Sequence, residues 1–163
     1  MDTFTLKKSM STKNSEQSSH ASLGEWHWTN RSLSAESIGK PIKEIEMDCH
    51  ICTMDEGKMT AAIPVKAIWD TGSSVTVISS FVAASLGLQI VGEMRMNGMG
   101  GTEVAPICYA YLRFPNGTAI GPVRMAIHNL PSTEVLIGMN IITAGKFLLE
   151  RKPDGGTRFS FTL

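Results

Sequence analysis

The segment AIWDTGSSVTVIS, residues 67–79, places one carboxylate where a buried strand is expected to end. Asp70 follows an apolar run, and Gly72 permits a tight turn whose backbone N–H groups can face the carboxylate. The hydroxyls of Thr71 and of the next two serines can add hydrogen bonds. Because a buried charge needs such partners, the segment predicts a rigidly held, half-buried carboxylate, which suits general acid–base chemistry.

The bulk composition favours one domain and excludes several classes of partner. The chain has 163 residues, and its 15 Lys and Arg balance 15 Asp and Glu. Neutrality argues against binding nucleic acid or a membrane surface through a basic field. No stretch approaches the ~20 apolar residues of a membrane span, and the N-terminus lacks the apolar core of a signal peptide. Three cysteines, an odd number, fit a reducing compartment. We therefore expect a cytoplasmic protein.

The chain divides into a polar beginning and a strand-rich remainder. Residues 1–40 are predicted to be a flexible polar tail or a pro-segment, and 41–163 to be the domain. The tryptophans of GEWHWTN can dock on the domain or on a partner. Alternation in IEMDCHIC and glycine turns farther on predict many short strands. One helix is expected in SSFVAASLG (79–87), with Phe81 on its apolar stripe, and a helical turn near 139–145.

Two further elements stand at a distinctive distance from Asp70. A glycine-rich tip, NGMGG (97–101), joins two predicted strands within 93–114. An apolar triplet ending in glycine, VLIG (135–138), lies about 65 residues after Asp70, just before the predicted helical turn. An Asp-Thr-Gly turn alone is weak evidence for a catalytic carboxylate, and the three elements together are much more specific.

In order and spacing, DTGSS (70–74), MNGMGGT (96–102) and LIGMNII (136–142) resemble the retropepsin-like aspartic proteases, and the chain looks most like their stand-alone bacterial members. The resemblance covers roughly residues 45–163. It implies a mostly β fold, a retropepsin-like closed β-barrel of the acid-protease single-lobe kind, with one or two short helices. It further implies a two-fold homodimer that acts as an aspartic endopeptidase on extended peptide or protein substrates, with no cofactor and no metal.

The resemblance also implies where the second carboxylate comes from. The chain has one Asp-Thr-Gly turn, so the partner should be Asp70 of a second copy across a two-fold axis. Two such carboxylates share a proton, an effect for which aspartic proteases are themselves the standard example. The implied catalytic residues are Asp70, Thr71 and Gly72, with Thr71 bonding to the other subunit's turn.

Substrate residues and the subunit interface are implied in the same way. A peptide would bind as an added strand beneath a movable hairpin, the flap. The implied substrate-binding residues are Gly72, Ser74, Asn97, Gly98, Met99 and Gly100. The C-terminal TRFSFTL, with PIKEIEM as a second choice, is expected to form an intersubunit sheet that covers exposed strand edges.

The chain departs from the family pattern behind the catalytic turn. Retroviral members usually have acidic residues where Ser74 and Val75 stand, paired with an Arg where Met139 stands. Both partners are absent here, so no charge is left unpaired. Bacterial relatives often have Asp at the position of Asn140, which keeps hydrogen bonding without the charge. How the turn is held is therefore an open question.

Two alternatives stand beside these predictions. The CHIC segment could hold a metal or a redox pair, but no second cysteine pair exists, and in a strand Cys49 and Cys52 would point to opposite faces. Reduced structural cysteines are the simpler interpretation. The alternative function is the same fold serving as a catalytically weak or inactive dimerisation or peptide-binding module.

Overall fold

The computed structural model describes residues 21–24, 26–29, 31–98 and 100–163, and the bounds below refer to this part of the chain. The strands β1 to β11 are, in order, His27–Trp28, Ser32–Glu36, Glu46–Asp55, Lys58–Trp69, Thr76–Ser79, Gly92–Gly98, Gly101–Arg113, Ala119–His128, Val135–Ile137, Lys146–Arg151 and Thr157–Thr162. The helices are α1, Ser80–Ser85, and α2, Met139–Ile142. None of the described helices is long and apolar enough to cross a membrane.

Six strands close into a barrel. They follow the order β3-β4-β9-β5-β8-β7, and β7 returns to β3, where Leu112 lies opposite Ile51. Strand β6 extends the sheet by pairing with the first half of β7. Inward-facing side chains of alternating positions, among them Val65, Ala67 and Met125, fill the interior. The predicted mostly β closed barrel with short helices is confirmed.

A second sheet covers the barrel below Trp69, the residue before Asp70. Its strand order is β1-β2-β11-β10. The rings of Phe159 and Phe161 on β11 lie 5.3 and 4.8 Å from the Trp69 ring, measured between centroids. The Trp69 indole N–H also donates to the Met47 sulfur at 3.0 Å. Aromatic packing and this bond fix the end of β4 from which Asp70 projects.

Part of the predicted tail belongs to this sheet. Residues 32–36 form β2, which pairs antiparallel with β11, and Leu33 and Ala35 are buried. Trp26 docks on the domain, with its ring 5.6 Å from that of Phe159. Residues 32–36 are therefore packed in the folded domain, because Leu33 and Ala35 bury one face of this short strand. Residues 1–20 lie outside the described residues.

Ion pairs fasten β2 to its neighbours. The Glu36 carboxylate contacts Lys152 at 2.8 Å and also the Arg158 guanidinium, and Arg158 reaches Glu150 on β10 at 2.9 Å. The hydrogen bonds from Lys152 and Arg158 lower the pKa of Glu36. Glu36 thus stays charged to more acidic pH than an unpaired glutamate would. Its ion pairs stabilise the attachment of β2 until the pH falls through this lowered pKa.

Strand β11 cannot serve as the predicted intersubunit strand. It lies between β2 and β10, so both of its hydrogen-bonding edges are filled within the chain. The prediction that TRFSFTL pairs with a second copy by hydrogen bonding is wrong, because β2 of the same chain pairs with the edge of β11 that was expected to be free. The end of PIKEIEM enters β3, where Glu46 and Met47 pair with β4.

Helix α1 forms where the sequence predicts it. Ser79 caps it by accepting a hydrogen bond from the Val82 N–H at 3.2 Å, and Gly87 has the positive φ of +60° that ends the turn. The placement of Phe81 on the buried stripe is wrong. Its side chain is 73% exposed, because Val82 and Ala83 face the core instead.

The cysteines are buried side chains of the strands. Cys49 and Cys52 both lie within β3 and are only 2% and 1% exposed, so the strand is covered on both faces here. Burial raises the pKa of Cys49 to about 12 and that of Cys108 to about 11, which keeps these thiols protonated. Among the described residues, no three His, Cys, Asp or Glu side chains are grouped to hold a metal ion.

The hairpin between β3 and β4 carries a local strain that mutation can test. Asp55 pairs with Lys58, so the loop is Glu56 and Gly57, both with positive φ, at 46° and 76°. Such turns favour Asn before Gly, and a left-handed backbone is unfavourable for glutamate. Glu56→Asn is expected to raise the free energy of unfolding by about 0.5–1 kcal/mol, measured by urea denaturation. Glu56→Gln should give no gain, and an equal gain from both variants would contradict this explanation.

Candidate active site

Asp70 sits on a loop between two strands that are not neighbours. Strands β4 and β5 are separated by β9, which runs parallel to β4 and antiparallel to β5. The chain must therefore pass over the end of β9 on its way from β4 to β5, and residues 70–75 make this crossing. We call these residues the Asp70 loop. The topology explains why a polar turn lies directly at the end of a buried strand.

Backbone hydrogen bonds attach the Asp70 loop to the end of β9. The Asp70 N–H donates to the Ile137 carbonyl at 2.9 Å, and the Met139 N–H donates to the Ser73 carbonyl at 2.8 Å. Within the turn, the Gly72 N–H donates to Oδ1 of Asp70 at 2.9 Å, as the glycine turn predicts. Asp70 is half-buried. The carboxylate is therefore held by a fixed turn while part of it stays open to solvent.

Gly138 allows the close crossing of the loop over β9. A Cβ atom at this position would lie 2.4 Å from both the carbonyl carbon and the oxygen of Val75. No side chain fits at that distance, so only glycine lets the two backbones approach. Glycine is thus required at the end of the VLIG segment because any side chain would clash there, whatever the backbone angles of the residue.

The side chain of Asn140 answers the question of how the loop is held. Its Oδ1 accepts from the Thr76 N–H and from the Thr76 hydroxyl, each at 2.8 Å. Its Nδ2 donates to the Arg124 carbonyl on β8 at 2.9 Å. The Thr76 Oγ1 in turn accepts from the Gly138 N–H at 3.1 Å. One uncharged amide therefore joins β5, β8 and α2 at the far end of the Asp70 loop.

Removing this amide should loosen the loop measurably. Asn140→Ala is expected to lower the free energy of unfolding by about 1–2 kcal/mol, because it deletes three hydrogen bonds and removes the acceptor of the buried Thr76 donors. Chemical denaturation measures the change. Asn140→Asp is the matched control, since its carboxylate still accepts both Thr76 bonds and loses only the one to Arg124. If both variants lost the same free energy of unfolding, the hydrogen bonds to Thr76 would not explain how Asn140 stabilises the protein.

The other predicted residues of the turn are open to solvent. Thr71, Gly72 and Ser74 are exposed, and within the described part of the chain the hydroxyls of Thr71 and Ser74 have no hydrogen-bond partner. The Ser73 hydroxyl, by contrast, donates to the Val75 carbonyl at 2.7 Å and shapes the turn. The turn therefore leaves one half-buried carboxylate and two hydroxyls without a described partner open to solvent.

The predicted glycine-tipped hairpin is formed by β6 and β7. Gly98 pairs with Gly101 at its tip, and the Thr102 hydroxyl donates to Oδ1 of Asn97 at 2.8 Å. Asn97, Gly98 and Gly100 are all exposed. The predicted residue Met99 lies outside the described residues. The described residues of the tip, Gly98, Gly100 and Gly101, are thus exposed glycines without side chains.

A small apolar cluster connects the hairpin to the Asp70 loop. It is separate from the main core and consists of Val75, Val77, Ala105 and Ala126. Met94 and Met96 of β6 pack against it. Since Val75 ends the Asp70 loop, this packing places the base of the hairpin beside that loop. The structure therefore joins the two groups of predicted site residues through apolar contacts.

Two residues that position the turn escape simple sequence reasoning. Thr76 is fully buried, and the only signal was a lone hydroxyl within the apolar run VTVIS. Trp69 gives no signal beyond its place in the apolar run AIW that precedes Asp70. Both act through contacts with residues distant in sequence, such as Asn140 and Phe161.

The chain is similar to one family of known proteins and to solved structures, among them the two described here. A family profile described as "Aspartyl protease" matches residues 55–141, more than half of the chain. A retropepsin-like aspartic protease from Rickettsia conorii is 14% identical, with 86% of this chain and 99% of that chain covered and a TM-score of 0.45. The protease of simian foamy virus (mac) is 13% identical, covering 56% of this chain and 87% of that one, with a TM-score of 0.38. No curated protein matches significantly.

Proposed function

The chain belongs to the aspartyl protease family, and from this premise we propose that it is an aspartic endopeptidase whose active site forms between two copies of the chain. The observation that carries the proposal is the Asp70 loop. Its carboxylate is half-buried and bonded to the Gly72 N–H, and it stands on a surface with the free hydroxyl of Thr71. A carboxylate fixed in this way suits proton transfer.

The need for a second copy follows from the composition of this surface. The chain has a single Asp-Thr-Gly turn, and among the described residues no hydrogen bond or ion pair joins Asp70 to another acid. A two-fold axis beside Asp70 would place the same carboxylate opposite it. The free Thr71 hydroxyl would then donate to the other turn and keep the two carboxylates coplanar.

The reaction needs one proton shared by two carboxylates. At close range the two groups cannot both ionise easily, so one stays protonated. The ionised Asp70 takes a proton from a water molecule, which attacks the peptide carbonyl, while the protonated Asp70 gives its proton to the carbonyl oxygen. The resulting gem-diol then breaks its C–N bond: the Asp70 that took the proton from water passes it to the leaving nitrogen, and the other Asp70 takes a proton from a gem-diol hydroxyl. No covalent intermediate with the enzyme forms. The pair titrates as a unit, and the pKa values belong to both carboxylates together.

The substrate is an extended peptide. The Gly72 carbonyl and the Ser74 hydroxyl would hold its backbone on the side of the turn. The tip of the β6–β7 hairpin, with Asn97, Gly98, Met99 and Gly100, would close over it as the flap. Exposed glycines at the tip suit this role, because they let a hairpin move and let backbone approach backbone. Pairing through main-chain atoms favours an extended substrate.

Cleavage of an unstructured protein substrate, with new termini identified by mass spectrometry, tests the proposal. We expect internal cuts at acidic to neutral pH, and a specific activity that falls when the protein is diluted into the monomer range. A protein that binds peptides without cutting them would support the alternative, a dimerisation or peptide-binding module. The absence of cleavage at every concentration and at every pH from about 3 to 7 would overturn the enzyme proposal.

A further inference from the structure

The hairpin of β6 and β7 extends beyond the closed barrel. Strand β7 pairs with β8 only from Ile107 onward, and residues 101–106 pair only with β6. In the part of the chain that the structure describes, residues 93–106 therefore make no backbone hydrogen bond outside the hairpin. Side-chain contacts must decide how the hairpin is positioned relative to the barrel.

One face of the hairpin is turned toward the barrel. Met94 lies opposite Ala105 and Met96 opposite Glu103, and cross-strand partners lie on the same face. Ala105 is buried in the small apolar cluster that includes Val75 of the Asp70 loop. Since Glu103 is two residues from Ala105, its side chain lies on this same face, closer to the hairpin tip.

A histidine on the barrel meets Glu103 on this face. His128 is the last residue of β8 and lies opposite Ser79 of β5. Its Nε2 atom is 3.4 Å from Oε2 of Glu103, and the two side chains are 43% and 58% exposed. Among the described residues, no other ion pair or side-chain hydrogen bond joins residues 93–106 to the rest of the chain. The apolar cluster thus positions the base of the hairpin, and the Glu103–His128 pair is the polar contact nearest to its tip.

The elements packed around His128 offer no second charged partner. Helix α1 and residues 129–133 contain no charged side chain. On β6, Glu93 and Arg95 alternate with the methionines and therefore lie on the outer face of the hairpin. On β8 itself, Arg124 is four residues away, about 13 Å along the strand.

Two other carboxylates lie in segments that adjoin β5, and each is held by another group. The Glu134 carboxylate accepts a hydrogen bond from the Lys66 N–H at 2.7 Å, and Oδ1 of Asp70 accepts one from the Gly72 N–H at 2.9 Å. In the described structure neither forms an ion pair with His128. The charge of the imidazole therefore acts chiefly on the hairpin carboxylate.

Protonation decides whether this contact is attractive. Histidine changes its charge between pH 5 and 8, and glutamate is ionised over that range. In the acidic part of the range the imidazole is positive and attracts the carboxylate, and this attraction is lost as the pH rises. Ion pairs between partly exposed groups are weak, so the attraction should change the population of hairpins held against the barrel by about two- to fivefold.

We propose that Glu103 and His128 are positioning residues whose ion pair holds the β6–β7 hairpin against the barrel in mildly acidic conditions and releases it as the pH rises toward about 8. This inference rests on the proposed function, in which the hairpin closes over an extended peptide. Neither residue belongs to the Asp70 loop, where the protons are transferred. Because the held hairpin is the arrangement that contacts the peptide, the pair should lower KM without changing kcat.

Steady-state kinetics with a fluorogenic peptide test this role. At about pH 5.5, His128→Gln is expected to raise KM about two- to fivefold with kcat unchanged, and at about pH 7.5 it should match wild type. Glu103→Gln should behave in the same way. The double variant should show no further loss, because either change removes the whole interaction. Comparing variants at one pH cancels the titration of the Asp70 pair.

A lysine at position 128 provides the rescue. The ammonium group of His128→Lys stays charged at both pH values, so at about pH 7.5 its KM should lie below that of wild type. His50→Gln is the matched control, since His50 lies opposite Arg113 at the other end of β7, and its KM should follow wild type. The proposal would be overturned if His128→Gln raised KM equally at both pH values, or if it matched wild type at about pH 5.5.

A distance measurement that needs no cleavage examines the hairpin directly. Spin labels on Arg95→Cys and Ser132→Cys, both exposed positions, report the separation between the hairpin and the loop after β8. The native thiols are buried, and an excess of unlabelled chain confines the measurement to one copy. At about pH 5.5, adding His128→Gln should lower the ratio of shorter to longer distances about two- to fivefold, with no change at about pH 7.5.

The two measurements separate the ion pair from the chemistry. The expected change in distances in a protein that never cleaves peptides would uphold the role of the pair and reject the enzyme proposal. Peptide cleavage in which His128→Gln changes neither the distances nor KM would uphold the enzyme and reject the role of the pair.

Discussion

Replacing Asp70 by asparagine is expected to lower kcat/KM for peptide cleavage by about a thousandfold or more. The amide cannot take a proton from water or share one with the opposite carboxylate. Its side-chain oxygen can still accept the hydrogen bond that Oδ1 receives from the Gly72 N–H, so the turn should be preserved. Cleavage of a fluorogenic peptide, assayed from acidic to neutral pH, measures the loss.

The same variant should be indistinguishable from wild type in its folding. Its thermal midpoint and its sedimentation coefficient are the controls, because Asp70 is only half-buried and its charge has no described ion-pair partner. A variant that keeps wild-type activity would remove Asp70 from the mechanism. A variant that loses activity together with its fold would leave the lost proton transfer unproven, and Asp70→Ala, with the carboxylate deleted, would then be compared for folding under stabilising conditions.

Gly138→Ala is expected to prevent stable folding. The added Cβ would lie 2.4 Å from the Val75 carbonyl carbon and oxygen and 2.8 Å from the Thr76 N. These are backbone atoms of the Asp70 crossing and cannot rotate away. Relief requires moving β5 from β9, which breaks the bonds that hold Thr76, so the cost should reach about 4–5 kcal/mol or more. Circular dichroism and urea denaturation of the purified variant measure it.

A second glycine provides the control for this steric argument. At Gly98, on the hairpin tip, an added Cβ would have no atom within 4 Å, and the residue has no positive φ. Gly98→Ala should therefore change the free energy of unfolding by less than about 1 kcal/mol. If Gly138→Ala changes the free energy of unfolding as little as Gly98→Ala, the backbone of the Asp70 loop does not approach β9 as closely as the structure indicates.

Local patterns made much of the fold predictable. Alternation and glycine turns placed the barrel strands, and the Asp-Thr-Gly turn after an apolar run placed Asp70 at the end of β4. The hairpin around 97–101 was also predictable, because consecutive residues determine its turn. Such features depend on neighbours in sequence, which is why one sequence sufficed.

Features set by distant contacts were not predictable. The pairing of β2 with β11 depends on which sheet edge is open to a short strand. Leu33 and Ala35 alone give too weak an apolar pattern to predict this strand. The contact between Thr76 and Asn140 joins residues 64 positions apart. Phe81 fits a helical stripe by spacing, but its side chain is left exposed. In each case the tertiary arrangement decided between locally equivalent alternatives.

The central claim, that one active site needs Asp70 from two copies, is tested most directly by mixing subunits. Wild-type protein is allowed to exchange with Asp70→Asn protein in equal amounts at constant total concentration, and cleavage is measured. If only dimers with two carboxylates are active, total activity falls to about a quarter of that of wild type alone, following the square of the wild-type fraction. Activity that falls only to about half, in proportion to the wild-type chains present, would show that each chain cleaves peptides with its own Asp70 alone.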